Sequence, residues 1–106
     1  MKIEVLYFGG CLNHEAAVER VKEALREEGL SAEIAEVNVQ DAEVAQSLQF
    51  LGSPSVRIEG LDIEPAARSS RDFGLMCRTY TERGNPVGVP PLDLIRTALK
   101  RMRPAL

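Results

Sequence analysis

The stretch KIEVLYFGGCLNHE, residues 2–15, decides the start of the fold, because its hydrophobic period changes partway along. Residues 2–8 are rich in β-branched and aromatic side chains with apolar groups on both faces, which is typical of an interior strand of an α/β sheet. From Glu15 onward the apolar residues instead follow a helical stripe: Ala17, Val18, Val21, Ala24 and Leu25. The stretch therefore predicts a strand and a helix joined by a turn that carries Cys11 and His14. Gly29 is predicted to end the helix in a left-handed conformation.

Four further segments follow before residue 75. Residues 32–39 predict a second strand, and Asp41 predicts the N-cap of a second helix that ends at Gly52. The segment SPSVRIEG, residues 53–60, predicts a third strand. Residues 60–74 have no usable period and predict a long polar loop.

The last part of the chain predicts one strand and one helix. Leu75 to Thr81 has the composition of a fourth strand, and Pro90-Pro91 opens the final helix, since proline is favoured in a first turn. The predicted inner face of this helix contains Leu92, Ile95, Leu99 and Met102. Its predicted last turn contains Lys100, Arg101 and Arg103, where cations suit the helix dipole.

The predicted order is β-α-β-α-β-β-α within a single domain, residues 1–106. A right-handed βαβ crossover makes the first two strands parallel, and the last two strands are expected to form an antiparallel pair. The sheet is thus a four-stranded mixed sheet of the α/β class. Sites in such sheets collect beyond the carboxyl ends of the parallel strands, which is where Cys11 follows the first strand.

Composition narrows the functional classes. The net charge of −3 argues against nucleic-acid binding, because the domain has no basic excess to neutralise phosphates. No apolar run reaches the roughly 20 residues of a membrane span, and the N-terminal residues do not resemble a signal peptide. We therefore expect a cytoplasmic protein whose two cysteines stay reduced. Two cysteines cannot form a disulfide framework, so their role is reactive, metal-binding or packing.

Cys11 and His14 are the first candidates for chemistry. Unpaired N–H groups and the dipole at a helix start favour a thiolate by about 0.3–1 kcal/mol, and by up to about 2 kcal/mol when partly buried. Cys11 is thus either a reactive or ligating thiol or a small residue filling the turn. His14, three residues on, is a base beside that thiol, a second ligand for a soft metal ion, or a solvent-facing side chain.

Pro54 is the third candidate, because Ser53-Pro54 begins the third strand directly after a helix and a glycine. Proline is tolerated at the first residue of a strand. The base frequency of cis X–Pro bonds is only about 5–6 %, so the pattern alone does not predict a cis bond here.

These residues resemble the thioredoxin-like superfamily over essentially the whole chain. The element order matches its three-layer α/β/α core. YFGGCLNH is similar to the strand-end C-x-x-C segment, and GSPSV is similar to the loop that carries a cis-proline beside the nucleophilic cysteine. The stretches GSPSVRIEG, CRTY and GVPP further resemble small bacterial thioredoxin-like proteins of undefined function, some of them labelled by analogy with organomercurial lyases. The resemblance implies that Cys11 is the nucleophile, that His14 favours its thiolate and that Pro54 shapes the substrate groove.

The chain departs from that pattern at the second motif cysteine, which is His14. The resemblance then implies one of three outcomes: a monothiol mechanism that uses glutathione or a partner thiol, a cycle through Cys77, or no redox activity. We expect monothiol disulfide exchange through Cys11 with a thiol- or disulfide-bearing protein or small molecule. No bound cofactor is expected beyond glutathione as a co-substrate. The alternatives are a mercury or copper carrier using Cys11 and His14, and an interaction domain without chemistry.

Cys77 is the remaining thiol. If residues 55–59 and 75–81 pair antiparallel, Cys77 pairs near the level of Arg57, about 10 Å along the strand from Pro54 at about 3.3 Å per residue. A disulfide needs Cα atoms within about 7 Å. We therefore expect Cys77 to be unbonded to Cys11 and to pack in the core as a small apolar residue.

Overall fold

The computed structural model describes residues 1–102, so Arg103 lies outside the described residues. Six strands are present: β1 Lys2–Tyr7, β2 Glu33–Asn38, β3 Ser55–Ile58, β4 Leu61–Asp62, β5 Tyr80–Glu82 and β6 Asn85–Val87. Three α-helices, α1 His14–Glu28, α2 Ala42–Ser47 and α3 Leu92–Met102, and one 3₁₀ helix, Pro65–Ser69, complete the elements. No helix in this part of the chain combines the length and apolar character needed to cross a membrane.

Four of the strands form one mixed sheet in the order β2-β1-β3-β4. β1 pairs parallel with β2 and antiparallel with β3, and β3 pairs antiparallel with β4. The prediction that β1 is an interior strand with parallel β2 beside it is confirmed. The α/β class and the mixed four-stranded sheet are confirmed as well.

One face of the sheet packs against α1 and α3. The buried residues of this cluster include Ile3 and Val5 from β1 and Val56 and Ile58 from β3. On α1 the buried residues are the five of the predicted stripe, Ala17, Val18, Val21, Ala24 and Leu25. α3 contributes Ile95, Ala98 and Leu99. This apolar face is the larger of the two cores and holds both long helices on the same side of the sheet.

The opposite face packs against α2 through a smaller cluster. Leu6, Val39, Ala45 and Phe50 are its buried residues, and each is at most 1 % exposed. Because side chains alternate along a strand, Leu6 lies on the other face from Ile3 and Val5. The helices therefore cover both faces of the sheet.

The predicted helix boundaries follow from local chemistry. Gly29 ends α1 with φ 64° and ψ 32°, the left-handed conformation expected of a glycine cap. Asp41 caps α2, and its Oδ1 accepts a hydrogen bond from the Val44 N–H at 2.8 Å. α3 begins at Leu92, directly after Pro90-Pro91. All three predictions are confirmed.

The prediction that Leu75 to Thr81 form a fourth strand of the sheet is wrong. The strand that pairs with β3 is β4, a two-residue strand inside the segment predicted to be a loop. Only Tyr80 and Thr81 of the predicted strand belong to a strand, β5, which pairs with β6 in a separate two-stranded sheet. Strand composition favours extended backbone, but it does not identify the partner strand.

Both hairpins turn on an X-Gly pair with two positive φ values. Glu59 and Gly60 have φ of 51° and 82°, and Arg83 and Gly84 have φ of 52° and 81°. The flanking registers leave two residues in each loop. Two-residue hairpin loops favour this geometry because its twist matches that of the strands. The Glu-Gly and Arg-Gly pairs are thus the local signals for the two hairpins that the sequence pattern left unassigned.

Candidate functional site

Cys11 lies in the turn between β1 and α1. Its backbone N–H donates to the Phe8 carbonyl at 3.0 Å, so the chain folds back directly after the strand. The residue is partly buried and its thiol is free. Three residues further along the chain α1 begins, so Cys11 lies between the first strand and the first helix, as predicted.

His14 is the first residue of α1, and its ring packs onto the sheet. The imidazole stacks on the Tyr7 ring with centroids 3.5 Å apart and planes 7° from parallel. Its Nε2 lies 2.6 Å from Glu36 Oε1, a close polar contact that lacks the alignment of a hydrogen bond. Only 17 % of the His14 side chain is exposed. The alternative that His14 is a solvent-facing side chain is therefore wrong.

Pro54 directly precedes β3, the strand that pairs with β1, and the Ser53–Pro54 peptide bond is cis. The register that pairs Leu6 with Ser55 continues to the end of the sheet, where the Phe8 N–H donates to Ser53 Oγ at 3.4 Å. Ser53 is 1 % exposed. The structure thus brings the Pro54 segment and the segment leading to Cys11 together at one end of the sheet.

Cys77 lies beside the same segment, which contradicts the prediction that it pairs near Arg57. It forms an isolated parallel bridge with Ser53, in which the Ser53 N–H donates to Met76 O at 2.8 Å and the Arg78 N–H donates to Ser53 O at 2.9 Å. Cys77 is exposed, so the expectation that it packs in the core is also wrong. Both cysteines are free thiols, as expected. The fourth strand was misplaced, and with it the position of Cys77 along the sheet.

A buried ion pair fixes the Cys77 segment to the sheet. Arg78 donates from Nη1 to Asp62 Oδ2 at 2.7 Å and from Nη2 to Asp62 Oδ1 at 2.8 Å, and both side chains are 6 % exposed. The guanidinium also donates to Ser55 Oγ at 3.1 Å and to Glu64 Oε1 at 2.7 Å. Burial is the largest single influence and opposes the charge, but the hydrogen bonds to Asp62 and Glu64 and the attraction of Tyr80 and Asp62 together outweigh it, so the pKa of Arg78 lies above its ordinary value. The guanidinium therefore stays charged.

Tyr80 connects this cluster to Pro54. Its hydroxyl donates to the Pro54 carbonyl at 2.6 Å, and the Arg78 guanidinium lies 4.7 Å from the ring centroid. Burial raises the pKa of the Tyr80 hydroxyl above its ordinary value, and the charge of Arg78 partly offsets this. The hydroxyl therefore remains a donor, and it holds the Pro54 carbonyl on the side where the Cys77 segment approaches.

Exposed apolar side chains surround the two cysteines. Leu12, next to Cys11, is 96 % exposed, while Leu75 and Met76, just before Cys77, are 42 % and 38 % exposed. Isolated exposed apolar side chains are ordinary, but these three are close in sequence to the two thiols, and we refer to Leu12, Leu75 and Met76 as the apolar rim.

The sequence identified Cys11, His14 and Pro54 as candidates. The structure brings the Cys11 turn and Pro54 to the carboxyl end of β1, where β3 begins, whereas His14 contacts Tyr7 of β1 and Glu36 of β2. The sequence misplaced Cys77 and did not identify Arg78 and Tyr80 as neighbours of Pro54, because these positions depend on long-range contacts. The only local signal for the three residues was the CRTY stretch, which predicts a strand. Within residues 1–102, no group of three or more His, Cys, Asp or Glu side chains is arranged to hold a metal ion.

Comparison with known proteins places the chain in one family. No curated protein and no solved structure matches it. A family model described as a domain of unknown function, DUF2703, matches residues 12–99, most of the chain. The matched range contains His14, Pro54 and Cys77, and Cys11 directly precedes it. This protein therefore belongs to the DUF2703 family.

Proposed function

We propose that this protein is a thioredoxin-like thiol protein that exchanges disulfides through Cys11. The observation that carries the proposal is the meeting of the Cys11 turn and the Ser53–Pro54 segment at one end of the sheet, linked through Phe8. A parallel βαβ unit followed by antiparallel strands supports the thioredoxin-like assignment. The partly exposed thiol at the start of α1 supports a nucleophilic role.

The reaction is a thiol–disulfide exchange. The Cys11 thiolate attacks one sulfur of a substrate disulfide, a new bond joins Cys11 to that sulfur, and the other sulfur leaves as a thiolate. A second thiol must then release the bound half. Because position 14 is histidine, that second thiol does not come from the motif itself. Glutathione or a partner thiol can supply it in a monothiol cycle.

Pro54 and His14 support Cys11 in this proposal. Pro54 shapes the groove beside the thiol, and the Tyr80 hydroxyl holds the Pro54 carbonyl in place. A protonated His14 favours the thiolate through its positive charge. Glu36, 2.6 Å from Nε2, partly cancels that charge, so its removal should strengthen the effect of His14.

The apolar rim indicates the kind of substrate. Leu12, Leu75 and Met76 offer an apolar surface to a protein whose disulfide reaches Cys11. A small disulfide such as oxidised glutathione needs no such surface. We therefore favour a protein disulfide as the substrate and glutathione as the co-substrate.

The first experiment measures the reaction of Cys11 with oxidised glutathione. In Cys77→Ser, Cys11 is the only thiol of the chain. We expect it to react roughly threefold to tenfold faster at neutral pH when folded than when the same variant is unfolded in urea, because the helix start stabilises the thiolate only in the native state. Equal rates in the two states would refute the proposal. Cys11→Ser serves as the matched control, which reports Cys77 alone.

A second experiment tests the electrostatic role of His14. In the Cys77→Ser background, Glu36→Gln should increase the rate of reaction of Cys11 at pH 6, because it removes a negative charge that opposes the thiolate. His14→Phe keeps the stacking on Tyr7 but removes the charge, and it should slow the reaction. If neither substitution changes the rate between pH 6 and pH 8, His14 does not act on Cys11.

A further inference from the structure

We propose that Cys77 is the resolving thiol, which attacks the mixed disulfide on Cys11 and closes an internal Cys11–Cys77 disulfide. This inference rests on the proposed function and adds its second step. It replaces the external thiol of the monothiol cycle with a cysteine from a distant part of the chain.

The backbone brings Cys77 to the site. The parallel bridge sets Cys77 directly opposite Ser53, the residue before Pro54. On its other side, Ser53 Oγ accepts a hydrogen bond from the Phe8 N–H, and the Phe8 carbonyl accepts one from the Cys11 N–H. Ser53 therefore lies between the two segments that carry the thiols, at one end of the sheet.

Strand spacing sets the distance between the two segments. Two strand spacings of about 4.8 Å separate Cys77 from Phe8, or roughly 10 Å, and the turn that carries Cys11 begins at Phe8. A disulfide needs Cα atoms within about 7 Å. The proposed bond therefore requires the partly buried Cys11 turn to move toward Cys77.

The Cys77 segment is anchored at one end and exposed at the other. Arg78 is held by the buried pair with Asp62, whereas Leu75 and Met76 are each more than one-third exposed. In a parallel bridge of this form the N–H and C=O of the central residue point away from the partner strand. Among residues 1–102 neither group of Cys77 bonds another backbone group. Because the Met76 carbonyl and the Arg78 N–H both bond to Ser53, the backbone keeps Cys77 at the site, and the residue remains exposed.

The step balances with the substrate disulfide as the oxidant. The Cys77 thiol loses its proton to solvent, and the thiolate attacks the Cys11 sulfur of the mixed disulfide. The bond between Cys11 and the substrate sulfur breaks, and the substrate leaves as a thiolate that takes up a proton. The two cysteines are oxidised, and the substrate disulfide is reduced to two thiols. A small thiol such as glutathione then reduces the internal disulfide for the next cycle.

The test uses the full-length reduced protein and oxidised glutathione as the probe. Samples are quenched with acid over time, and intact mass and peptide mapping identify the products. We expect the wild type to lose two hydrogens through a Cys11–Cys77 link, with little glutathione adduct. Cys77→Ser should instead accumulate one adduct on Cys11. The rate of internal closure should not depend on protein concentration.

A matched control moves the thiol by one residue. The double variant Met76→Cys, Cys77→Ser keeps two thiols but turns the second toward Gly52, where the Met76 side chain now packs. We expect it to retain the adduct on Cys11, as Cys77→Ser does. Closure at the wild-type rate in this control would overturn the role of the Cys77 position.

The outcomes separate the two proposals. A persistent adduct on Cys11 of the wild type refutes Cys77 as the resolving thiol and leaves the proposed function intact. A folded Cys11 that reacts no faster than the unfolded one refutes both. Formation of covalent dimers, seen by non-reducing electrophoresis, in place of the internal link also overturns the inference.

Discussion

Replacement of Arg78 by methionine is the sharpest test of how the site is held together. Arg78 and Asp62 are both 6 % exposed, and they form two hydrogen bonds of 2.7 and 2.8 Å. Methionine keeps the apolar stem but removes the cation, so the Asp62 carboxylate stays buried without its charge partner. Leaving one member of a buried pair alone costs about 3–5 kcal/mol. This is a large part of the roughly 5–15 kcal/mol that stabilises a typical domain.

The measurement is urea-induced unfolding followed by far-ultraviolet circular dichroism, since the chain has no tryptophan to report by fluorescence. A loss of about 3 kcal/mol corresponds to a fall in Tm of roughly 12 °C or more for a domain of this size. Lys22→Met is the control, because Lys22 and Glu19 form an exposed pair 3.7 Å apart. Its expected cost is at most about 1 kcal/mol.

A double-mutant cycle completes the test. Asp62→Asn combined with Arg78→Met should cost less than the sum of the single changes, because neither charge is then left buried alone. Additive costs, or a cost for Arg78→Met below about 1 kcal/mol, would contradict the assignment of a buried, charged anchor. The reasoning about how the Cys77 segment is fixed would then fail with it.

Three further predictions concern stability. Gly52→Ala should lower the free energy of unfolding in urea by at least about 1 kcal/mol more than Gly84→Ala does. Both glycines have a positive φ, so the backbone strain is similar. The new Cβ at Gly52 would lie 3.0–3.2 Å from neighbouring atoms, whereas the new Cβ at Gly84 would meet none within 4 Å. Tyr80→Phe should flatten the pH dependence of the unfolding free energy above about pH 10. The pKa of Tyr80 is raised in the folded state, so its contribution to stability is full below the unfolded-state pKa of about 10 and is lost as the pH rises beyond that value. An unchanged slope would contradict a buried hydroxyl. Asp41→Ala should lower the free energy of unfolding by about 1 kcal/mol, because it removes the hydrogen bond that caps α2. Glu43→Ala, in the same helix, should lower it much less.

Local sequence patterns predicted the structure correctly where the conformation of a segment depends only on its own residues. The stripe of α1 has a helical period, so its buried face could be identified without knowing what covers it. Gly29 and Asp41 act on the backbone within a few residues, so the C-terminal end of α1 and the start of α2 were also predictable. The prediction that the second helix ends at Gly52 is wrong, because α2 ends at Ser47. The same holds for the position of Cys11, because a thiol that follows a buried strand and precedes a helix lies at the carboxyl end of that strand.

The sequence alone therefore determined the α/β class, the parallel start of the sheet and the place of Cys11 between β1 and α1. Only the tertiary structure decided the partner of β3 and the place of Cys77. Strand propensity in residues 75–81 favours an extended backbone but does not specify a register. The register is set by the two-residue hairpin at Glu59-Gly60, which gives β3 another partner, and by the buried contact of Arg78 with Asp62, 16 residues earlier in the chain. Contacts of that kind depend on where the chain returns, and no local pattern contains this information.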